Sequence, residues 1–168
     1  MHRESKHDDM TARALPLITF DPRSNQYECG AEALEVLRAT PGPLGVVACA
    51  GKYRTGKSFL LNRVILGQRG GTGFGVGNTV QACTKGLWIW SEPIVNKKGM
   101  RVFVVDTEGI GALDASSTHD ARIFSLAILL SSSFFYNSVG SIDDTELQQL
   151  SLVCALSKHI KMQSSDAG

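Results

Sequence analysis

Eight consecutive residues have the types and spacing to hold a phosphate chain: Gly51, Lys52, Tyr53, Arg54, Thr55, Gly56, Lys57 and Ser58. They fit G-x-x-x-x-G-K-[ST], in which the glycines let backbone N–H groups curl around a β-phosphate. Lys57 then reaches the β and γ oxygens, and the Ser58 hydroxyl can ligate Mg²⁺. Downstream, Asp106, Thr107, Glu108 and Gly109 follow the valine-rich run Arg101 to Asp106. An acid at the end of such a strand can hold Mg²⁺ through water, and the glycine after it offers an N–H to the γ-phosphate. Between the two lies Thr84, able to supply a second metal-binding hydroxyl from a segment that closes over the nucleotide. The phosphate loop alone does not separate kinase, ATPase and GTPase.

The elements that must carry these residues can be read from apolar periodicity. Gly30 to Thr40 has a helical stripe at Ala33, Leu34, Val36 and Leu37, stopped by Pro41-Gly42-Pro43. Leu44 to Ala50 has strand length and β-branched content, and Lys57 to Leu66 has helix formers, giving a strand, glycine loop and helix around the motif. Gly86 to Ser91 and Arg101 to Asp106 predict a hairpin across the Asn96 to Gly99 turn, with Trp88 and Trp90 on one face. Helix is predicted for Asp120 to Leu130 and Asp143 to Lys158, with a strand over Ser133 to Asn137. Alternating strands and helices predict an α/β fold around a mostly parallel sheet flanked by helices. Residues 1–15 read as a flexible polar segment and 16–168 as one domain. Gly67 to Gly77 holds six glycines in eleven residues and reads as a loop that a ligand orders.

Composition narrows the classes. The chain has 168 residues, 43% hydrophobic and 20% charged, which suits one globular domain with its own core. Its formal charge of +1 conceals a block, residues 36–91, with seven cations and no acid. That block should attract anions. No aromatic stacking pattern accompanies it, so a nucleotide is favoured and nucleic acid is not. Four widely spaced cysteines without a C-x-x-C pair fit reduced thiols in a cytoplasmic protein, and the first twelve residues have no secretory apolar run. Ile123 to Ile142 carries no charge over twenty residues but changes from helical to strand-like composition midway, so a buried helix and strand are predicted in place of a membrane span. His119 and His159 read as isolated surface histidines.

Four ordered motifs together resemble the guanylate-binding protein family of dynamin-like large GTPases, related to the atlastins. They are Gly51 to Ser58, Thr79 to Trp88, Asp106 to Gly111 and Leu129 to Ser138, and the resemblance extends over about residues 27–160. It implies a P-loop NTPase fold that binds GTP and GDP and hydrolyses GTP with Mg²⁺. By the same resemblance the nucleotide contacts are Gly51, Tyr53, Arg54, Thr55, Gly56, Lys57, Ser58, Phe59, Thr84, Asp106 and Gly109, with Ser58, Thr84 and Asp106 around the metal. Arg54 would be an internal arginine finger, working when two GTPase domains meet face to face as a homodimer, and Glu108 would organise the attacking water. Arg54, Lys57 and Glu108 are thus the implied catalytic residues.

Two departures from the family pattern set up an alternative. Ala82 stands where the family has a water-positioning serine, and no T-x-R-D or N-K-x-D pattern for reading guanine follows Gly111. The base pocket, an adenine or guanine preference, and the last strands of the sheet would then lie outside this chain, leaving an open edge. A truncated, non-catalytic GTPase-domain fragment acting as an interaction module is the competing reading.

Overall fold

A computed structural model of the chain describes residues 12–68, 73–75, 86–111, 117–144, 146–148, 150–152 and 154–155. Among the described residues, seven strands form one sheet. In chain order they are β1 (Ala14–Asp21), β2 (Gln26–Cys29), β3 (Leu44–Ala50), β4 (Leu87–Trp90), β5 (Ile94–Val95), β6 (Arg101–Thr107) and β7 (Ser133–Tyr136). Across the sheet the order is β2-β1-β4-β6-β3-β7, with β5 pairing onto β6. The helices are α1 (Ala31–Ala39), α2 (Lys57–Leu60), which runs on as a π-helical turn over Leu61–Ile65, and α3 (Ser117–Leu130). Helical residues recur from 144 to 155.

The expected α/β class is what forms, while the sheet is mixed. β3 runs parallel to both neighbours, β6 and β7. The pairs β1·β2, β1·β4, β4·β6 and β5·β6 are antiparallel. The pairs with β6 are the hairpin expected across Asn96 to Gly99, and the rest of the antiparallel side comes from a β1–β2 hairpin for which the sequence predicts no strand. Ala14 and Leu15, inside the segment 1–15 expected to be flexible, already belong to β1, and Leu15 is fully buried. The hairpin closes because Asp21 accepts from the backbone N–H of Arg23 at 2.9 Å and the hydroxyl of Ser24 at 2.8 Å, an Asx turn, and Asn25 takes the left-handed conformation with φ 54°.

Period-two alternation splits the core between the sheet's two faces. Phe103 and Val105 of β6 join Leu15, Leu87, Ile89, Ala48, Ile123 and Ala127 in the larger cluster, with α3 laid against β3 and β6. Val104 and Cys49 point to the other face and meet Leu61, Phe74 and Trp90, with Trp88 packed alongside. The charge-free run 123–142 divides between α3 and β7 as expected. Among the described residues no helix is long and apolar enough to cross a membrane.

Candidate nucleotide site

Parallel strands place their carboxyl ends on one side of a sheet, so the segments leaving β3, β6 and β7 converge. Residues 51–56 leave β3, and neighbours on both sides clamp them. On the β6 side, Tyr53 N–H donates to the Ile110 carbonyl at 2.9 Å and Ile110 N–H to the Gly51 carbonyl at 3.1 Å. On the β7 side, Asn137 N–H donates to the Ala50 carbonyl at 2.7 Å and its amide Nδ2 to the Thr55 carbonyl at 2.8 Å.

Two glycines are required by this closeness. A Cβ on Gly51 would lie 2.0 Å from the Asn137 carbonyl oxygen, and one on Gly109 would lie 2.5 Å from the Cα of Tyr53. Both contacts are with backbone, so neither can be relieved by turning a side chain.

Within the loop, Thr55 Oγ1 and Lys57 Nζ both donate to the Lys52 carbonyl, each at 2.9 Å. Lys57 is buried, and burial pushes its ammonium below the usual lysine range while the Asp106 carboxylate opposes that shift. Arg54 sits at φ 61° in the exposed tip, its guanidinium 5.8 Å from the Tyr53 ring centre. Phe59 puts its ring on the exposed side of α2, under the Arg63 guanidinium at 5.6 Å.

Ser58 and Asp106, 48 residues apart, meet here: Ser58 Oγ donates to Asp106 Oδ2 at 2.5 Å. Asp106 is fully buried, and its Oδ1 accepts the Thr107 N–H at 3.0 Å. A hydroxyl and a carboxylate are hard oxygen donors of the kind Mg²⁺ takes, so this pair fits a magnesium ion held beside a polyphosphate. Thr84 and Ala82 lie outside the described residues. So do parts of the glycine-rich stretch, of which residues 67–68 and 73–75 are described. There Phe74 is buried, its N–H donates to Asn62 Oδ1 at 2.8 Å, its carbonyl accepts from Asn62 Nδ2 at 2.9 Å, and its ring meets Trp90.

Several participants escaped sequence reasoning. Lys52 Nζ donates to Asp143 Oδ2 at 2.6 Å and lies 3.6 Å from Glu146 Oε1, linking the loop to the last helical segment. Asp143 and Glu146 cap one another, each accepting the other's backbone N–H. The spacing D-x-x-E was the available signal for this capping box. His119 is not the surface histidine expected. Its Nε2 lies 3.0 Å from Glu108 Oε2, and the side chain is largely buried. The reason is tertiary: β2 and α3 close around the ring, and nothing local in the sequence announces that.

A strand, glycine loop and helix whose lysine and serine face a buried strand-end aspartate define a P-loop nucleotide-binding domain. Comparison with known proteins narrows the class. The description "Guanylate-binding protein, N-terminal domain" matches residues 24–168. Guanylate-binding protein 2 of Rattus norvegicus is 46% identical over 151 residues, covering 89% of this chain and 25% of its own. Guanylate-binding protein 4 of Homo sapiens is 43% identical over 150 residues, covering 89% and 23%. Guanylate-binding protein 1 of Mus musculus is 42% identical over 151 residues, covering 89% and 25%. The chain belongs to the guanylate-binding protein family and spans about a quarter of the length of these relatives.

Proposed function

We propose that this chain is the nucleotide-binding core of a GTPase that hydrolyses the terminal phosphate of GTP with Mg²⁺. The observation that carries the reading is the Ser58–Asp106 contact beside Lys57, three groups from two motifs gathered at adjacent parallel strand ends. The relatives' name supports guanine as the base, although an ATPase shares every phosphate contact named here.

In this reading Lys57 leaves the Lys52 carbonyl for the β and γ oxygens, and the backbone N–H groups of residues 51–59 cradle the phosphates. Ser58, Asp106 and Thr84 are the residues that would hold Mg²⁺, which when bound neutralises charge on the β and γ oxygens. Glu108 orients the attacking water. Arg54, in an exposed tip, is suited to turn toward the γ-phosphate when a second copy covers this face, and a guanidinium stabilises charge spread over the transferring oxygens. Two copies meeting at this face is part of the proposal.

The test is titration with fluorescent GTP, GDP and ATP, with and without Mg²⁺. Lys57→Ala should abolish binding, whereas Arg54→Ala should bind normally and turn over more slowly, by about a thousandfold if the finger acts as in other phosphoryl-transfer enzymes. Equal loss of binding in both variants would remove the division of roles. One observation favours a second reading: Ala82 has no hydroxyl for the water, as expected of a non-catalytic module that docks onto intact relatives. Binding without hydrolysis, alone and mixed with an intact relative, would select it.

A further inference from the structure

The Glu108 carboxylate is held by a chain of side chains that nucleotide binding leaves unexplained. His119, in the first turn of α3, sets Nε2 3.0 Å from Glu108 Oε2 and Nδ1 3.0 Å from the hydroxyl of Tyr27 on β2. A carboxylate can only accept, so Nε2 is the donor to Glu108, while Nδ1 and the Tyr27 hydroxyl share the second hydrogen bond. The imidazole is also wedged in place. It stacks on the Tyr27 ring at 9° between planes and meets the Phe20 ring at 5.0 Å between centres.

Glu108 itself is buried and grips one glycine from both ends. Its Oε2 accepts the Gly86 N–H at 3.0 Å, and its own N–H donates to the Gly86 carbonyl at 2.8 Å. Among the described residues both side-chain contacts fall on Oε2 and neither on Oε1. A glutamate fixed through one oxygen presents the other in a set direction, which is what orienting a water demands.

We propose that His119 is a positioning residue for Glu108: with Tyr27 behind it, the ring freezes the carboxylate so that Oε1 accepts from the water that attacks the terminal phosphate. The proposal deepens the hydrolytic reading and rests on it. Supporting groups of this kind act through the residue they orient, and losing one costs about ten- to a hundredfold in rate. The competing account is a histidine that merely satisfies a buried carboxylate.

The experiment compares this chain with its His119→Ala, His119→Gln and Tyr27→Phe variants. It reads three quantities: affinity for fluorescent GTP with Mg²⁺, the single-turnover hydrolysis rate, and hydrogen exchange of the Gly86 amide by NMR. His119→Ala should keep the affinity within about twofold, slow hydrolysis about ten- to a hundredfold and speed Gly86 exchange. Glutamine, whose Nε2 amide can still donate to Oε2, should restore most of both. A wild-type hydrolysis rate in His119→Ala, or a glutamine variant as impaired as the alanine one, overturns the proposal. So does a rate loss matched by an equal affinity loss. If the unmodified chain binds GTP without hydrolysing it, the catalytic reading fails. The Gly86 amide then decides the positioning separately, because unchanged exchange in His119→Ala removes it. Should the alanine variant not fold, glutamine and Tyr27→Phe carry the same comparison.

Discussion

The sheet divides at β6 into a parallel side, β6-β3-β7, and an antiparallel side, β2-β1-β4, and the two do different work. Among the described residues, Lys57, Ser58 and Asp106, the groups proposed to meet the phosphates and their metal, come from the parallel side, where three consecutive carboxyl ends share one edge and their outgoing loops must meet. On the antiparallel side neighbouring strands end at opposite edges, so it cannot gather loops in the same way. It supplies a wall instead: Tyr27 and Phe20 close on His119, and the backbone of Gly86, just ahead of β4, receives Glu108. Chemistry is assembled where strand directions agree, and the mixed half braces it from behind.

Phe103 lies on the strand that both halves share and is fully buried, so it offers the harshest test. Phe103→Ala should cost about 3–5 kcal/mol through lost burial and the cavity left behind, read as a lowered denaturation midpoint. Stability and nucleotide affinity should fall together, since neither half survives without β6. A variant that melts early yet binds GTP at full affinity would show that the parallel side folds apart from its brace.

Leu15→Ala sharpens the division from the antiparallel side. The residue is fully buried in the larger cluster, and its loss should cost about 2–5 kcal/mol by denaturation. Under conditions where the variant is still folded, GTP affinity should match that of the unmodified chain. A smaller effect on stability but a larger one on binding is expected of Gly109→Ala, whose added Cβ meets the Tyr53 backbone and must push the loop off β6. Overpacking of this kind costs about 1–3 kcal/mol, while titration should show affinity reduced at least about tenfold.

The same division separates what could be read in the sequence from what could not. The parallel side is written in local patterns: the phosphate loop needs glycines at fixed offsets, and β3 falls on Leu44–Ala50 as its apolar run predicts. The strand-end acid of Asp106 to Gly109 is equally local. On the antiparallel side the hairpin of β4 and β5 with β6 is legible from its Asn96 to Gly99 turn, whereas β1 and β2 are not, because alternation reports which face a residue takes and not which way a strand runs. Pro16 and the polar turn also disguised β1 and β2. His119 depends on Tyr27, 92 residues away, and Asn62 depends on Phe74 across a glycine-rich stretch, so neither role has a local signature.

The mildest perturbation concerns the outer edge of the parallel side, where Lys52, Tyr136, Asp143 and Glu146 cluster. The hydrogen bond from Lys52 to Asp143 holds its ammonium above the usual lysine range, with the nearby Glu146 adding to the shift. Burial, with Glu146 and Asp143 nearby, pushes the Tyr136 phenol up from 10.0 to about 12. Both shifts act in the same direction. The folded chain keeps each proton that the unfolded chain gives up near pH 10, so stability is unaffected below that and falls as pH rises toward about 12. Tyr136→Phe removes one of the two linked protons and should flatten the fall in melting temperature between about pH 10 and 12. Leu15→Ala, remote from the cluster, should lower the whole curve and leave its slope alone. If the Tyr136→Phe curve runs parallel to that of the unmodified chain, this edge is not where alkaline loosening begins, and the two halves respond to pH alike.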